Sequence, residues 1–105
     1  MSANTNEKLS EILESKSGEY TIEKNPLIGE ILEEKNLFYL INFEDEVYKI
    51  HLDYVVRNKF GEIQFIILNK NDKNLEIADH FLNKNGIKTF HRDDIKAVEE
   101  FFGSE

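Results

Sequence analysis

The apolar and polar positions of the chain change period twice. From Asn6 to Ser15 the apolar residues Leu9, Ile12 and Leu13 fall at i, i+3 and i+4, the spacing of one helix face. The small residues and glycine of "SKSGE", Ser15 to Glu19, end that pattern. From Tyr20 to about Asn69 the period shortens toward two. Tyr20 and Ile22 alternate with Thr21 and Glu23. Leu37, Tyr39, Ile41 and Phe43 share one face of a strand whose other face carries Phe38 and Leu40. Tyr48, Ile50 and Leu52 alternate with Val47, Lys49 and His51. In "EIQFIILN" Ile63, Phe65 and Ile67 face one way while Ile66 and Leu68 face the other. That run predicts a central strand, covered on both sides or held at a subunit interface. "FEDE", "EKN" and "RNKFGE" read as turns.

"NPLIGEILEEKN" supports two readings. As a helix it has Asn25 as cap, Pro26 at the first position, and Leu27, Ile28, Ile31 and Leu32 on one side. As a strand it runs through Lys35–Asn36 into the next one. Gly29 and the glutamates near the C-terminal end weigh against the helix, so a strand is expected over residues 26–35.

After Asn69 the helical period returns. "NDKNLEIADHFLNKNG" has caps available at Asn71, Asp72 or Asn74, a stripe of Leu75, Ala78, Phe81 and Leu82, and a stop signal at Asn85–Gly86. "IKTF" is a short strand. Asp93 to Phe102 forms a final helix through Ile95, Val98, Phe101 and Phe102. The expected fold is α+β: an antiparallel β-meander of four to five strands, an N-terminal helix and a C-terminal helix–strand–helix. Residues 1–105 are expected to form one globular domain with disordered ends at 1–5 and 103–105.

Composition narrows the function more than it names one. A chain of 105 residues can bury roughly two-thirds of its unfolded surface, enough for a core without staples. The absence of cysteine excludes disulfides, thiolate metal sites and cysteine nucleophiles. No apolar run reaches the ~18–20 residues of a membrane span. "MSANTNEKLSEILESK" also lacks the apolar middle of a signal peptide, so a cytoplasmic protein with no membrane partner is expected. The net charge is −8, and of the basic residues only Arg57 and Arg92 are arginine. That balance argues against direct binding to a nucleic-acid backbone and suits a basic protein partner.

The densest reactive cluster is "KTFHRDDIKAVEEFF", which sets His91, Arg92, Asp93 and Asp94 side by side. The His-Arg-Asp loop of protein kinases is not a match, because the glycine-rich loop, paired lysine and Asp-Phe-Gly are missing. Helix-start physics accounts for the cluster instead. With His91 as cap, Phe90 and Ile95 have the spacing of a hydrophobic staple, and Asp93 and Asp94 meet the positive end of the helix dipole. Asp93 as cap of a shorter helix is the competing register. The weak alternative for a metal is His51 with Asp53; no HxxxH or HExxH spacing occurs, and no cofactor-binding signature is present. Glu44, Asp45, Glu46 and Asp53 in "NFEDEVYKIHLD" could hold magnesium, or could simply form a polar turn.

Strand "EIQFIILN", helix "NLEIADHFLNKNG", strand "IKTF" and helix "DDIKAVEEFF" resemble the closing half of restriction-endonuclease-like domains of the Mrr type, over about 40 residues of pattern. The chemistry of that family lies in an Asp followed by Glu/Gln-x-Lys on the next strand. "EDEVYKI" offers Asp45 and Lys49 at a different spacing, so the resemblance implies a degenerate site.

The expected function is that of a small acidic, non-enzymatic binding protein of the inhibitor, immunity or phage-accessory kind. It would present Glu44, Asp45, Glu46, Asp93 and Asp94, with His91 beside them and Tyr54 as aromatic anchor, to a basic protein partner. A nucleic-acid mimic is the sharper version. The alternatives are a metal-dependent hydrolase or nuclease using Asp45, Glu46, Asp53 and a histidine, and a homodimer built through the apolar strands or the Phe101–Phe102 end.

Overall fold

The computed structural model describes residues 2–35 and 51–103. The strand expected at Leu37–Phe43 lies outside them, as does the one expected at Val47–Leu52 up to Ile50; His51 forms only an isolated bridge with Leu27. The described elements are α1 (Ser2–Ser15), β1 (Thr21–Lys24), α2 (Ile28–Glu34), β2 (Tyr54–Arg57), β3 (Ile63–Leu68), α3 (Lys73–Lys84), β4 (Thr89–His91) and α4 (Ile95–Gly103). The fold is α+β, with these four helices around a four-stranded sheet of order β1-β2-β3-β4.

The sheet is mixed, which corrects the expected antiparallel meander. β1 pairs with β2 and β2 with β3 antiparallel, but β4 runs parallel to β3, with Ile66 opposite Thr89 and Leu68 opposite His91. The cause is the twelve-residue helix α3. It carries the chain back along the sheet before β4 begins, and a crossover of that length yields a parallel neighbour where a tight hairpin would yield an antiparallel one.

β3 is covered on both sides, as its two-faced apolar run predicts. Phe65 and Ile67 join Leu9, Leu13, Val56, Val98 and Phe102 in one core. Ile66 and Leu68 join Ile28, Ile31, Leu32, Val55, Leu75 and Leu82 in the other. α1 and α4 therefore cover one face of the sheet, and α2 and α3 cover the opposite face. Ile63 departs from the predicted alternation: it packs with Ile66 instead of Phe65. A bulge explains this, since Val56 faces Phe65 while Arg57 faces Ile63, leaving Gln64 as the extra residue that reverses the side of everything before it. At the centre of the first core Phe65 meets the edges of Phe90, Phe101 and Phe102, with centroids 5.0, 4.8 and 5.7 Å away.

The segment expected as a strand over 26–35 is a helix. Ile28, Ile31 and Leu32 are buried at i, i+3 and i+4 against the second core. Seven residues make a marginal helix in isolation, so tertiary burial overrides the propensity cost of Gly29. Asn25 does not cap it; the cap position is Leu27, without a side-chain bond. Asn25 instead takes a left-handed conformation, φ 51, which turns the chain out of β1.

The stop of α3 is as expected. Gly86 (φ 83) sends its N–H to Asn83 O (3.1 Å), and Ile87 N–H reaches Leu82 O (2.9 Å), the paired bonds of a left-handed helix terminus. α4, in contrast, starts later than either expected register. The chain stays in the sheet through His91, and Arg92 N–H still bonds Leu68 O at 3.0 Å. The first helical bond then runs from Val98 N–H to Asp94 O, which places Asp94 at the cap position.

Candidate functional site

Glu44, Asp45 and Glu46 lie outside the described residues. The remaining expected site residues are placed as follows. His91 is half-buried at the end of β4. Its Nδ1 accepts the Lys70 backbone N–H (3.0 Å), so the ring proton sits on Nε2, which faces Asp93 Oδ2 at 3.3 Å. Both ring nitrogens are thus committed, and His91 acts as a pin between the β3–α3 and β4–α4 turns. Asp94 Oδ2 accepts the His91 N–H at 3.1 Å, closing that turn. Phe90 and Ile95 both pack on the first core, but with Asp94 at the cap they do not hold the staple positions, which fall at Asp93 and Val98. Asp93 and Asp94 remain exposed just ahead of α4.

Tyr54 is half-buried and packs against the first core. The large apolar side chain that stands out among the described residues is Phe60, 78% exposed. It sits on a turn that Asn58 holds closed: Asn58 Oδ1 accepts the N–H groups of Phe60 (2.9 Å) and Glu62 (3.0 Å). The Phe101–Phe102 end, expected as a dimer surface, is packed inside its own chain.

Carboxylates gather on the α1–α4 layer. α1 exposes Glu7, Glu11 and Glu14, spaced along one side, and the α4 segment exposes Asp93, Asp94, Glu99 and Glu100. Lys8 and Lys96 are the exposed cations on these two helices. Lys16 lays its ammonium over the Phe102 ring, and Lys88 over the rings of Phe90 and Phe101.

Both arginines are tied to carboxylates. Arg57 bridges three elements: it pairs with Glu23 on β1, binds Glu34 on α2 through two bonds (2.7 and 2.5 Å), and donates to Gly61 O at 3.0 Å. These hydrogen bonds to Glu34 hold its carboxyl below the ordinary 4.5, and the same contacts raise the Arg57 guanidinium further. Arg92 grips Asp53 with Nε (3.0 Å) and Nη2 (3.2 Å). A third polar group ties α3 to β4: Asp79 accepts from the Thr89 hydroxyl and from Asn83 Nδ2 (2.8 Å), with Lys70 Nζ at 3.8 Å.

His51 and Asp53 do not share a strand face. His51 forms an isolated bridge with Leu27 and donates from Nδ1 to Asn25 O (2.6 Å), while Asp53 turns to Arg92. Among the described residues, no group of three or more histidine or carboxylate side chains is placed to hold a metal ion. Asp53, Tyr54 and Arg92 do line an open cleft of about 260 Å³ with Leu9, Lys24 and Asn25. Sequence separation hid this cleft, since Asp53 and Arg92 are 39 residues apart. The usable signal was the scarcity of arginine in a lysine-rich chain, because arginine is favoured where a carboxylate is held by two bonds.

No family model, curated protein or solved structure matches the chain. No helix among the described residues is long and apolar enough to cross a membrane.

Proposed function

We propose that this protein is a non-enzymatic binding protein whose α1–α4 layer presents carboxylates to a basic protein partner, as inhibitor, immunity and phage-accessory proteins do. One observation carries the reading: Glu7, Glu11 and Glu14 share a layer with Asp93, Asp94, Glu99 and Glu100, all exposed. Such a face steers and orients a basic surface, and its contribution weakens with salt. The helices beneath it are anchored by the phenylalanine core, so the charges are held on a rigid support. The test is comparative capture from the native host with wild type and with Asp93→Asn/Asp94→Asn and Glu7→Gln/Glu11→Gln variants. The reading predicts a basic protein retained by wild type, released by salt and lost with the variants. Equal retention by all three chains would remove it.

A second reading, a degenerate restriction-endonuclease-like domain, has one observation in its favour. Asp53 directly precedes β2, and β3, the next strand, ends at Leu68, with Asn69 and Lys70 following in the turn to α3. Lys70 has the spacing of that pattern's lysine but lies past the strand end, with buried Leu68 where the pattern has Glu or Gln. Calorimetry with magnesium, manganese and zinc separates the readings. Tight binding at one site, abolished by Asp53→Ala, would favour a metal-dependent hydrolase over both.

A further inference from the structure

The cleft at the end of the sheet has the opposite electrostatic character from the α1–α4 layer, and it bears on a different kind of ligand. It is formed where β1 ends and β2 begins, beside the carboxyl ends of the parallel strands β3 and β4. β3 leads to a helix on one face of the sheet and β4 to a helix on the other, so the chain parts at this end. In open sheets that divergence is where small ligands are bound, because two loops separate and leave a crevice.

Three features of the lining point to an oxyanion. Arg92 is held in advance: its backbone N–H is bonded to Leu68 O, and Nε and Nη2 are gripped by Asp53. Asp53 is itself anchored through its own N–H to Ile67 O (2.9 Å) and its carbonyl to Asn25 N–H (3.0 Å). That arrangement leaves the Nη1 edge of the guanidinium, with its two donors, without a partner among the described residues. Lys24 also has no carboxylate partner among the described residues, and neither does the Asn25 side-chain amide have a bond there. Lys24 and Arg92 against Asp53 alone give the cleft a surplus of positive charge, in a chain whose net charge is −8. Leu9 and Tyr54 supply an apolar wall opposite these polar groups.

We propose that this cleft binds a small organic oxyanion, a phosphate or carboxylate attached to a compact apolar group. Arg92 Nη1 and the Lys24 ammonium hold the charged oxygens, the Asn25 amide completes the polar contacts, and the apolar group lies against Leu9 and Tyr54. At about 260 Å³ the cleft suits a ligand smaller than a drug-sized molecule. Asp53 is a positioning residue for Arg92.

The experiment is amide NMR titration of the full chain with inorganic phosphate, phenyl phosphate and benzoate at low ionic strength. The expected result is saturable shifts confined to Lys24–Asn25, Asp53–Tyr54 and Arg92, with phenyl phosphate tighter than inorganic phosphate because of the apolar wall. Phenyl phosphate tighter than benzoate would identify a phosphate ligand, and the reverse order a carboxylate. Arg92→Gln and Lys24→Gln should each weaken binding by about tenfold, the size of one charge-assisted contact. Lys96→Gln on α4 should leave it unchanged. Among the described residues the Lys24 side chain makes no hydrogen bond or ion pair, so the effect of Lys24→Gln is separable from any loss of structure in Arg92→Gln. Absence of saturable binding by all three probes up to about 20 mM would overturn the proposal, since a charged contact of this size gives millimolar affinity or better. So would binding that both substitutions leave intact.

Discussion

Replacing Arg57 probes the tie that joins β1, α2 and the β2–β3 turn. Its side chain is 15% exposed and meets carboxylates that are each 39% exposed. Lysine keeps the charge but cannot reproduce the fork that binds Glu34 twice while reaching Glu23 and Gly61 O. Two of the four contacts are lost, at ~0.5–1 kcal/mol each once solvent screening of half-exposed carboxylates is allowed for, so Arg57→Lys should cost about 1–2 kcal/mol. Arg57→Ala loses all four and leaves Glu23 and Glu34 without their cation, for about 2–4 kcal/mol. For a chain of this length the alanine variant should melt roughly 10 °C lower.

Urea unfolding at neutral pH measures both costs, and a double-mutant cycle with Glu34→Gln isolates the pair. pH supplies a further check. Because the folded-state pKa of Glu34 is depressed, its contribution is fully present above the ordinary 4.5 and is lost as pH falls through the lower, folded value. Wild type should therefore lose its advantage over Arg57→Ala in acid. A melting-temperature difference below about 2 °C at neutral pH, or an advantage that survives acid, would refute the hub.

Other perturbations test the core and the turns. Phe65→Ala removes the ring against which three phenylalanines pack, and should cost about 3–5 kcal/mol by urea unfolding, a large share of a small domain's stability. Gly86→Ala forces a side chain into φ 83 at the end of α3 and should cost about 1 kcal/mol, although the added Cβ meets open space. His91→Phe fills similar space but leaves the Lys70 N–H without its acceptor. About 1 kcal/mol of stability should go with it, together with faster hydrogen exchange at that amide.

Local pattern made the helices α1, α3 and α4 and the strand β3 readable, because each carries its apolar residues at the period of its own geometry. It did not separate helix from strand at 28–34, where a short apolar run fits both and burial against the second core decides. Pattern did not single out β2: Val55 and Val56 are buried on opposite faces, so the run has no polar side to mark it. The parallel pairing of β4 depends on the path of α3, and three residues cannot declare a direction. Site residues were legible only where neighbours in sequence stay neighbours in space. Asp93 and Asp94 kept their place at the start of α4, with the cap one residue later than the acidic pair suggested. Arg57 with Glu34 and Arg92 with Asp53 join distant segments and left only arginine's rarity as a trace.

The central claim is that the α1–α4 layer recognises a basic partner. Hydrogen exchange of the chain alone and with the protein it retains from its host tests that most directly. Slowed exchange confined to α1 and residues 91–100 is the predicted result. Slowing confined to α2 and α3, or no retained protein at all, would contradict it.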